Sequence, residues 1–216
     1  MTTAVRSSPL ALTVLALLQY QPLHPYGVQR LIREWGKDQV VNVGQRAGLY
    51  RTMERLLAAG LIAVRETGRD ALYPERTVYE VTDAGRETAH EWLDDMLAGP
   101  KNEFPEFPAA LSLLTMLTPD VIAKALRRRA GSLEVAVAAH EEVLDRERQS
   151  GSPSILTLES DYLRTVAAAE LDWVRRIVAD LEEGRLAWTA EELYAKAAEA
   201  GTEDAGTHGA PEDSRR

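Results

Sequence analysis

Arginine side chains recur at a helical spacing near position 50 of this 216-residue chain. Arg51 and Arg55 are four residues apart, so on a helix their guanidinium groups lie on the same face. Arginine presents a planar fork of N–H donors that binds phosphate or carboxylate oxygens through two parallel hydrogen bonds. Arg46 would stand at the start of the same helix, where free backbone N–H groups also attract anions. The segment is therefore a candidate site for a phosphate-bearing partner.

The apolar residues around these arginines predict the helix that would hold them. They form a stripe that stops at Gly60: Leu49, Met53, Leu56 and Leu57. At about 100° per residue this stripe lies opposite Arg51 and Arg55, so the arginines should face outward. Tyr50 falls at the edge of the stripe, where its ring can pack while its hydroxyl meets a phosphate oxygen. A solvated helix face, with Glu54 paired to a neighbouring arginine, is the alternative interpretation of the same pattern.

The elements around this helix favour the first interpretation. Ser8-Pro9 predicts the start of a first helix, and the apolar spacing of residues 28–35 predicts a second that ends at Gly36. Residues 61–66 and 76–81 predict two strands, and the intervening Gly68 and Pro74 predict a long loop. Thr82 is the expected N-cap of a fourth helix, whose apolar stripe comprises Ala89, Trp92, Leu93, Met96 and Leu97.

The order helix, helix, helix, hairpin, helix is typical of a winged helix-turn-helix. In that fold the third helix enters a DNA major groove and the hairpin reaches the DNA backbone or the minor groove. Arg69 and Arg76 lie in the predicted hairpin, where they would meet phosphates. The net charge of −9 is distributed unevenly, because residues 1–82 carry +3 and the remainder carries −12. This asymmetry permits nucleic-acid binding at the N-terminal end.

Three segments resemble the PadR-type transcriptional regulators. They are HPYGVQRLIREWG (24–36), RAGLYRTMERLLAAGLI (46–62) and PERTVYEVTDAGRE (74–87), which hold the family's Leu-Tyr-Arg, Gly-Leu-Ile and Tyr-x-x-Thr-x-x-Gly-Arg patterns. The resemblance implies that Tyr50 and its helix neighbours contact DNA and that Arg69 and Arg76 are wing contacts. Ala47 and Gly48 depart from the family, which usually has Gly followed by Thr or Ser there, so one hydroxyl contact at the start of the helix is lost.

The second half of the chain predicts long helices. Thr118, Pro119 and Asp120 are an N-cap, a first-turn proline and a favourable acidic residue, and an apolar stripe broken by Arg129 follows them. SGSPS at 150–154 interrupts helicity before another long apolar stripe from Leu163 to Leu181. The two helices can cover each other or a symmetry mate, and we expect a homodimer, as in the resembling family.

The fold class expected is mainly α with a small β hairpin: an N-terminal winged helix-turn-helix and a C-terminal α-helical dimerisation domain. The expected divisions are a DNA-binding domain over 1–98, a dimerisation domain over 99–200 and a disordered tail over 201–216. Thr189 and Glu192 form a capping box for a short last helix, and the tail after it has almost no apolar content.

Enzyme chemistry has little support in this sequence. The chain has no cysteine, its four histidines are scattered, and no glycine-rich phosphate loop occurs. HEWLD (90–94) begins like a two-histidine zinc signature but has Asp94 in place of the second histidine. We therefore expect no catalytic residues, no metal and no cofactor. The apolar run at 10–18 is too short to span a membrane, and the lack of cysteine suits the cytoplasm.

The residues and the resemblance together predict a sequence-specific DNA-binding regulator. We expect a repressor that binds a palindromic operator on double-stranded DNA as a homodimer and is released by a small-molecule effector. Trp92, Trp173 and Trp188 are candidates for a flat effector pocket at the dimer interface, with packing in the core as the alternative. A winged helix that serves only in protein assembly is the alternative function, since a fold does not fix a function.

Overall fold

The structure is a computed structural model, which describes residues 6–43, 46–70, 73–101, 103–189, 191–192 and 195. The side chains at 46, 67–70 and 73–76 lie outside that description. The described residues divide into two compact units, one up to Glu103 and the other from Phe104. None of the described helices is long and apolar enough to cross a membrane.

The first unit has the expected order of elements. Three helices precede an antiparallel two-stranded hairpin and a fourth helix: α1 (Pro9–Tyr20), α2 (Pro25–Glu34), α3 (Arg46–Ala58), β1 (Ile62–Asp70), β2 (Tyr73–Val81) and α4 (Asp83–Ala98). The predicted fold class, mainly helical with one small hairpin, is confirmed.

Side-chain caps explain where these helices begin. The Ser8 hydroxyl accepts a hydrogen bond from the Ala11 N–H at 3.2 Å, and Pro9 follows it at the first helical position. At the start of α2, His24 Nδ1 accepts the Gly27 N–H at 2.7 Å, a cap that the sequence did not indicate. Each cap satisfies a backbone donor that has no partner inside its helix.

The hairpin is longer than the sequence predicted. β1 continues to Asp70 and β2 begins at Tyr73, so the expectation of a long loop over 67–75 is wrong. Gly68 pairs with Arg76 in the ladder, and the register shifts between Gly68 and Asp70. Such an irregularity accommodates an extra residue without ending the strand. Pro74 is tolerated because both strands of a two-stranded sheet are edge strands.

The core of the first unit gathers side chains from every helix and from the hairpin. Its fully buried members include Val14, Leu15, Val28, Ile32 and Leu56. Ala89 and Trp92 of α4 also belong to it, as expected. The apolar stripes predicted for α3 and α4 were too wide, however, because Leu57, Leu93 and Leu97 are exposed. These residues lie at the edges of their stripes, where spacing alone does not distinguish buried from exposed positions.

A tight backbone corner joins α3, the hairpin and α4. Gly60 ends α3 with a φ of 72°, the left-handed conformation that glycine adopts without steric cost. The Thr82 hydroxyl donates to the Gly60 carbonyl at 2.7 Å, and the Thr82 N–H donates to the Leu61 carbonyl at 3.1 Å. The same hydroxyl accepts the Gly85 N–H at 3.0 Å and so caps α4. One threonine thus fixes the start of α4 against the end of α3.

The second unit is a helical hairpin with a short helix before it. It contains α5 (Glu106–Leu111), α6 (Pro119–Ser150) and α7 (Leu158–Glu182). Ion pairs from Arg127 to Glu182 and from Arg175 to Glu134 show that α6 and α7 run antiparallel. Gly151, with a φ of 73°, ends α6 as SGSPS predicted. Thr118 precedes α6 as expected, but its side chain makes no capping hydrogen bond.

The two long helices bury part of their apolar stripes against each other. Ile122, Leu126, Val174 and Leu181 form the buried centre. Sequence alone left open whether the helices would cover each other, and the structure shows that they do. The predicted capping box is present, with Thr189 and Glu192 exchanging hydrogen bonds of 2.8 and 3.2 Å. The body of the predicted last helix and the tail lie almost wholly outside the described residues.

The corner predicts a strong requirement for glycine at position 85. A Cβ atom there would lie 2.0 Å from the Leu61 carbonyl oxygen, which is backbone and cannot move aside cheaply. We expect Gly85→Ala to lower the free energy of unfolding by about 1–3 kcal/mol or more, measured by chemical denaturation.

Gly48→Ala is the matched control, since a Cβ at this helical position meets nothing within 4 Å. It should raise stability by roughly 0.5–1 kcal/mol, because alanine loses less backbone entropy in a helix. Equal stabilities for the two variants would contradict the close contact at Gly85.

Candidate nucleic-acid interface

Helix α3 presents a polar face outward from a buried apolar face. Leu49, Met53 and Leu56 are at most 2% exposed, whereas Arg51 and Arg55 are exposed. The outward orientation predicted for both arginines is confirmed. Tyr50 is 48% exposed, so part of its ring packs and part meets solvent. The helix can therefore present two guanidinium groups and a phenol to a partner without disturbing the core.

Thr52 supports this surface from beneath. It is buried, and its hydroxyl accepts a hydrogen bond from Arg55 Nη2 at 3.2 Å. That bond restrains the Arg55 side chain near its own helix and lowers the entropy that would be lost on binding a partner. Thr52 was not among the residues predicted from the sequence, although its position on the helical wheel, next to Leu49 and Leu56, places it on the buried side.

A cleft of about 690 Å³ separates the start of α1 from α3. Eight residues line it: Ser8, Leu10, Gly48, Arg51, Thr52, Glu54, Arg55 and Ala58. The charged lining consists of two arginines and one glutamate, which leaves a net charge of +1. The cleft is therefore suited to a single anionic group such as a backbone phosphate.

The other predicted contacts are placed by their backbones. Arg46 is the first residue of α3. Arg69 lies in β1, and Arg76 lies in β2 opposite Gly68. The side chains of these three arginines lie outside the described residues. The structure therefore brings Tyr50, Arg51 and Arg55 together on one helix, and for the other three it gives only the backbone position.

The hairpin is anchored to the helices on its outer edge as well as at the corner. Leu23 and Tyr79 exchange two backbone hydrogen bonds, of 3.0 and 2.9 Å, between the α1–α2 connection and β2. On the hairpin itself, Arg65 and Glu80 form a half-exposed ion pair at 3.7 Å. The backbone bonds, rather than the weak exposed pair, fix the base of the hairpin relative to α2.

The three tryptophans proposed for an effector pocket fall in two clusters. Trp92 belongs to the core of the first unit. Trp173 and Trp188 both pack against the buried centre of the second unit, and Trp173 meets Phe107 edge-to-face with ring centroids 6.1 Å apart. The effector role of all three stays a prediction.

The described residues hold no cluster of three or more histidine, cysteine or acidic side chains that could bind a metal. In HEWLD, Trp92 belongs to the core, while His90 and Asp94 are exposed.

The sequence of the first unit matches a known family. Residues 14–91, from α1 into α4, match the model of the transcriptional regulator PadR-like family. Over these residues the winged-helix unit resembles that family. The resemblance given by its Leu-Tyr-Arg and Thr-x-x-Gly-Arg patterns is thereby confirmed. No curated protein sequence matches the chain.

Several solved structures share the fold over most of the chain. Bacillus subtilis PadR in complex with operator DNA matches with a TM-score of 0.64 at 17% identity, over 81% of this chain and 99% of that one. The same protein in complex with p-coumaric acid matches at 0.63 and 17%, over 80% and 98%. The Vibrio cholerae virulence activator AphA matches at 0.59 and 19%, over 81% and 98%. At these identities the likeness shows a shared fold.

Proposed function

We propose that this protein is a sequence-specific DNA-binding transcriptional regulator that reads its operator with α3. The observation that carries the proposal is the separation of the two faces of α3, with the core on one side and Tyr50, Arg51 and Arg55 on the other. The excess of positive charge in residues 1–82 supports it, because phosphate contacts supply most of the non-specific affinity for DNA. The relative bound to operator DNA has the same fold.

Each predicted contact has a distinct role in this proposal. Arg51 and Arg55 enter the major groove, where arginine forms paired hydrogen bonds with the O6 and N7 atoms of guanine. Arg46 and the Tyr50 hydroxyl bind phosphate oxygens at the start of α3. Arg69 and Arg76 bind phosphates from the wing. Arg46 and the hairpin arginines set the position of the winged-helix unit on the duplex, and Arg51 and Arg55 discriminate between bases.

We further propose that the protein acts as a homodimer held by its C-terminal helices. After α6 and α7 have packed together, an apolar row remains exposed on α7 at four-residue steps: Leu158, Tyr162 and Val166. A repeat of four places these side chains along one face of the helix. Covering such a row with its copy from a second chain removes apolar surface from water and produces a two-fold dimer.

The proposed activity is repression from a palindromic operator, with release by a small-molecule effector. A two-fold dimer presents two identical α3 helices, which matches an inverted repeat in double-stranded DNA. The relative in complex with p-coumaric acid supports control by a small aromatic acid. Trp92, Trp173 and Trp188 remain the proposed effector residues, and the cytoplasm is the proposed location.

If α3 recognises the operator, Arg51→Ala and Arg55→Ala should each weaken DNA binding at least tenfold. A good bidentate base contact contributes about 1–3 kcal/mol of discrimination, and tenfold corresponds to about 1.4 kcal/mol. The measurement is a titration of pure protein with a duplex selected from its own genome, at several salt concentrations. The free energy of unfolding should change by less than about 1 kcal/mol, because exposed arginines contribute little to folding.

Arg146→Ala is the matched control, because it removes the same charge from an exposed, ion-paired arginine in the other unit. It should bind DNA like the wild type. Wild-type affinity and salt dependence in both α3 variants would overturn the reading role. Failure of the wild type to bind any duplex would favour a protein-assembly module instead.

The dimer proposal predicts that Val166→Asp produces monomers. A carboxylate at this exposed position should change the stability of the monomer little, but it would have to lose its hydration in the dimer interface, which opposes association. Sedimentation at micromolar concentration should show a dimeric wild type and a monomeric variant with unchanged thermal unfolding. Leu97→Asp, a matched change at an exposed apolar residue of α4, should remain dimeric. A monomeric wild type would refute the proposal.

A further inference from the structure

The second unit contains an apolar pocket of about 250 Å³ that the DNA-binding proposal does not use. Its walls come from α5, from the turn after it and from the first third of α6: Phe107, Ala110, Leu111, Leu113, Leu114, Leu117, Ile122, Ala125, Leu126 and Arg129. The lining is almost entirely aliphatic, with one aromatic ring and one charged side chain. A concave apolar surface with a single charge is typical of a site for a small amphipathic molecule.

The local sequence explains why the pocket stays open. Helix α5 is only six residues long and is followed by a 3₁₀ turn over Leu114–Met116. Ile122 and Leu126 form a floor that is at most 4% exposed, but the rim residues Leu113 and Leu117 are 58% and 45% exposed. The chain thus leaves large aliphatic side chains partly in water above a buried floor. An apolar occupant would remove that surface from water and gain free energy roughly in proportion to the buried area.

Arg129 gives the pocket a fixed positive group at its edge. Its guanidinium carbon lies 3.5 Å from the centroid of the Phe107 ring, and its Nε pairs with Glu170 of α7. These two contacts hold the side chain in place while using only one of its donor atoms for the ion pair. Arginine carries five N–H donors, so the terminal nitrogens can bind a second carboxylate.

The charge around Arg129 favours an anion as the occupant. The helix segment 124–129 reads KALRRR and holds four basic residues and no acidic one. Glu170 and Glu182 of α7 neutralise two of those charges, and Lys124 and Arg128 are exposed on the same helix. The pocket therefore lies beside a local excess of positive charge, although the residues after 82 carry −12 in total.

We propose that this pocket binds a monocarboxylic acid with a medium-length aliphatic chain. The carboxylate accepts hydrogen bonds from Arg129, and the chain lies along the leucine and isoleucine side chains. An aliphatic chain fits this lining better than a flat aromatic ring does, and the volume falls below the usual range of about 300–1,000 Å³ for drug-sized ligands. The proposal concerns the second unit alone, so it does not depend on the DNA-binding function.

Calorimetric titration of the full-length protein with octanoate tests the proposal. We expect saturable binding of one octanoate per chain. Octanamide, which has the same chain without the charge, should bind about tenfold or more weakly, because hydrogen bonds to a charged group are the stronger ones. Acetate, which lacks the chain, should give no saturable heat. Absence of saturable octanoate binding would overturn the proposal, and so would one octanoate per two chains.

Three variants test the apolar lining and the positive charge of the pocket separately. Ala125→Leu fills the pocket from α6 and should abolish binding of both octanoate and octanamide. Arg129→Gln should remove the preference for the acid over the amide, and Arg129→Lys, which keeps the charge, should restore part of it. Arg127→Gln is the control, because Arg127 pairs with Glu182 and does not line the pocket.

The variants overturn the proposal if Arg129→Gln keeps the wild-type preference or if Ala125→Leu still binds octanoate. An equal loss of preference in Arg127→Gln would show a general charge effect and would overturn it as well. Thermal unfolding of each variant establishes that it is folded before its titration is compared.

Discussion

The contact between the Leu61 carbonyl and Gly85 is the constraint on which the winged-helix unit depends. At this corner the end of α3, the first strand and the start of α4 approach closely enough that no side chain fits at position 85. Thr82 closes the corner with hydrogen bonds to Gly60 and Leu61 and caps α4 with the same hydroxyl. Because the hairpin begins immediately after Leu61, its direction relative to α3 is set there. The orientation of α3 relative to the base of the hairpin is consequently fixed at this corner.

Because this corner fixes the orientation of α3, Arg51 and Arg55 are held in position before they meet a partner. Arg51 and Arg55 contribute little to folding, since they lie in solvent on the far side of a complete core. A surface held in place before binding loses less entropy when it meets its partner. Thr52 extends the same principle to one side chain, because its buried hydroxyl restrains Arg55. Residues 1–82 carry +3 and the residues after them carry −12, which favours a nucleic-acid contact made within residues 1–82.

Local signals in the sequence predicted the order of elements but not their long-range contacts. Ser8-Pro9 and Thr82 marked helix starts correctly, because a cap and its helix are neighbours in sequence. The hairpin was predicted too short, because Gly68 is a breaker in isolation but pairs within an irregular ladder here. Arg129 broke an apolar seam in the sequence, yet Glu170, which lies 41 residues away, and the Phe107 ring both contact it. Such partners become visible only once the chain has folded.

In the proposed mechanism the two winged-helix units of one dimer recognise an inverted repeat, so binding should depend on the helical phase between the half-sites. Two α3 helices can enter major grooves on one face of the duplex only when the half-sites are centred about 34–36 Å apart, or a multiple of that distance. The decisive measurement is the affinity for operators with about five or about ten base pairs inserted between the half-sites. The shorter insertion should abolish binding, because the half-sites then lie on opposite faces, and the longer one should restore part of it. Equal affinity for both operators, with an unsymmetrical footprint, would refute the dimeric mechanism.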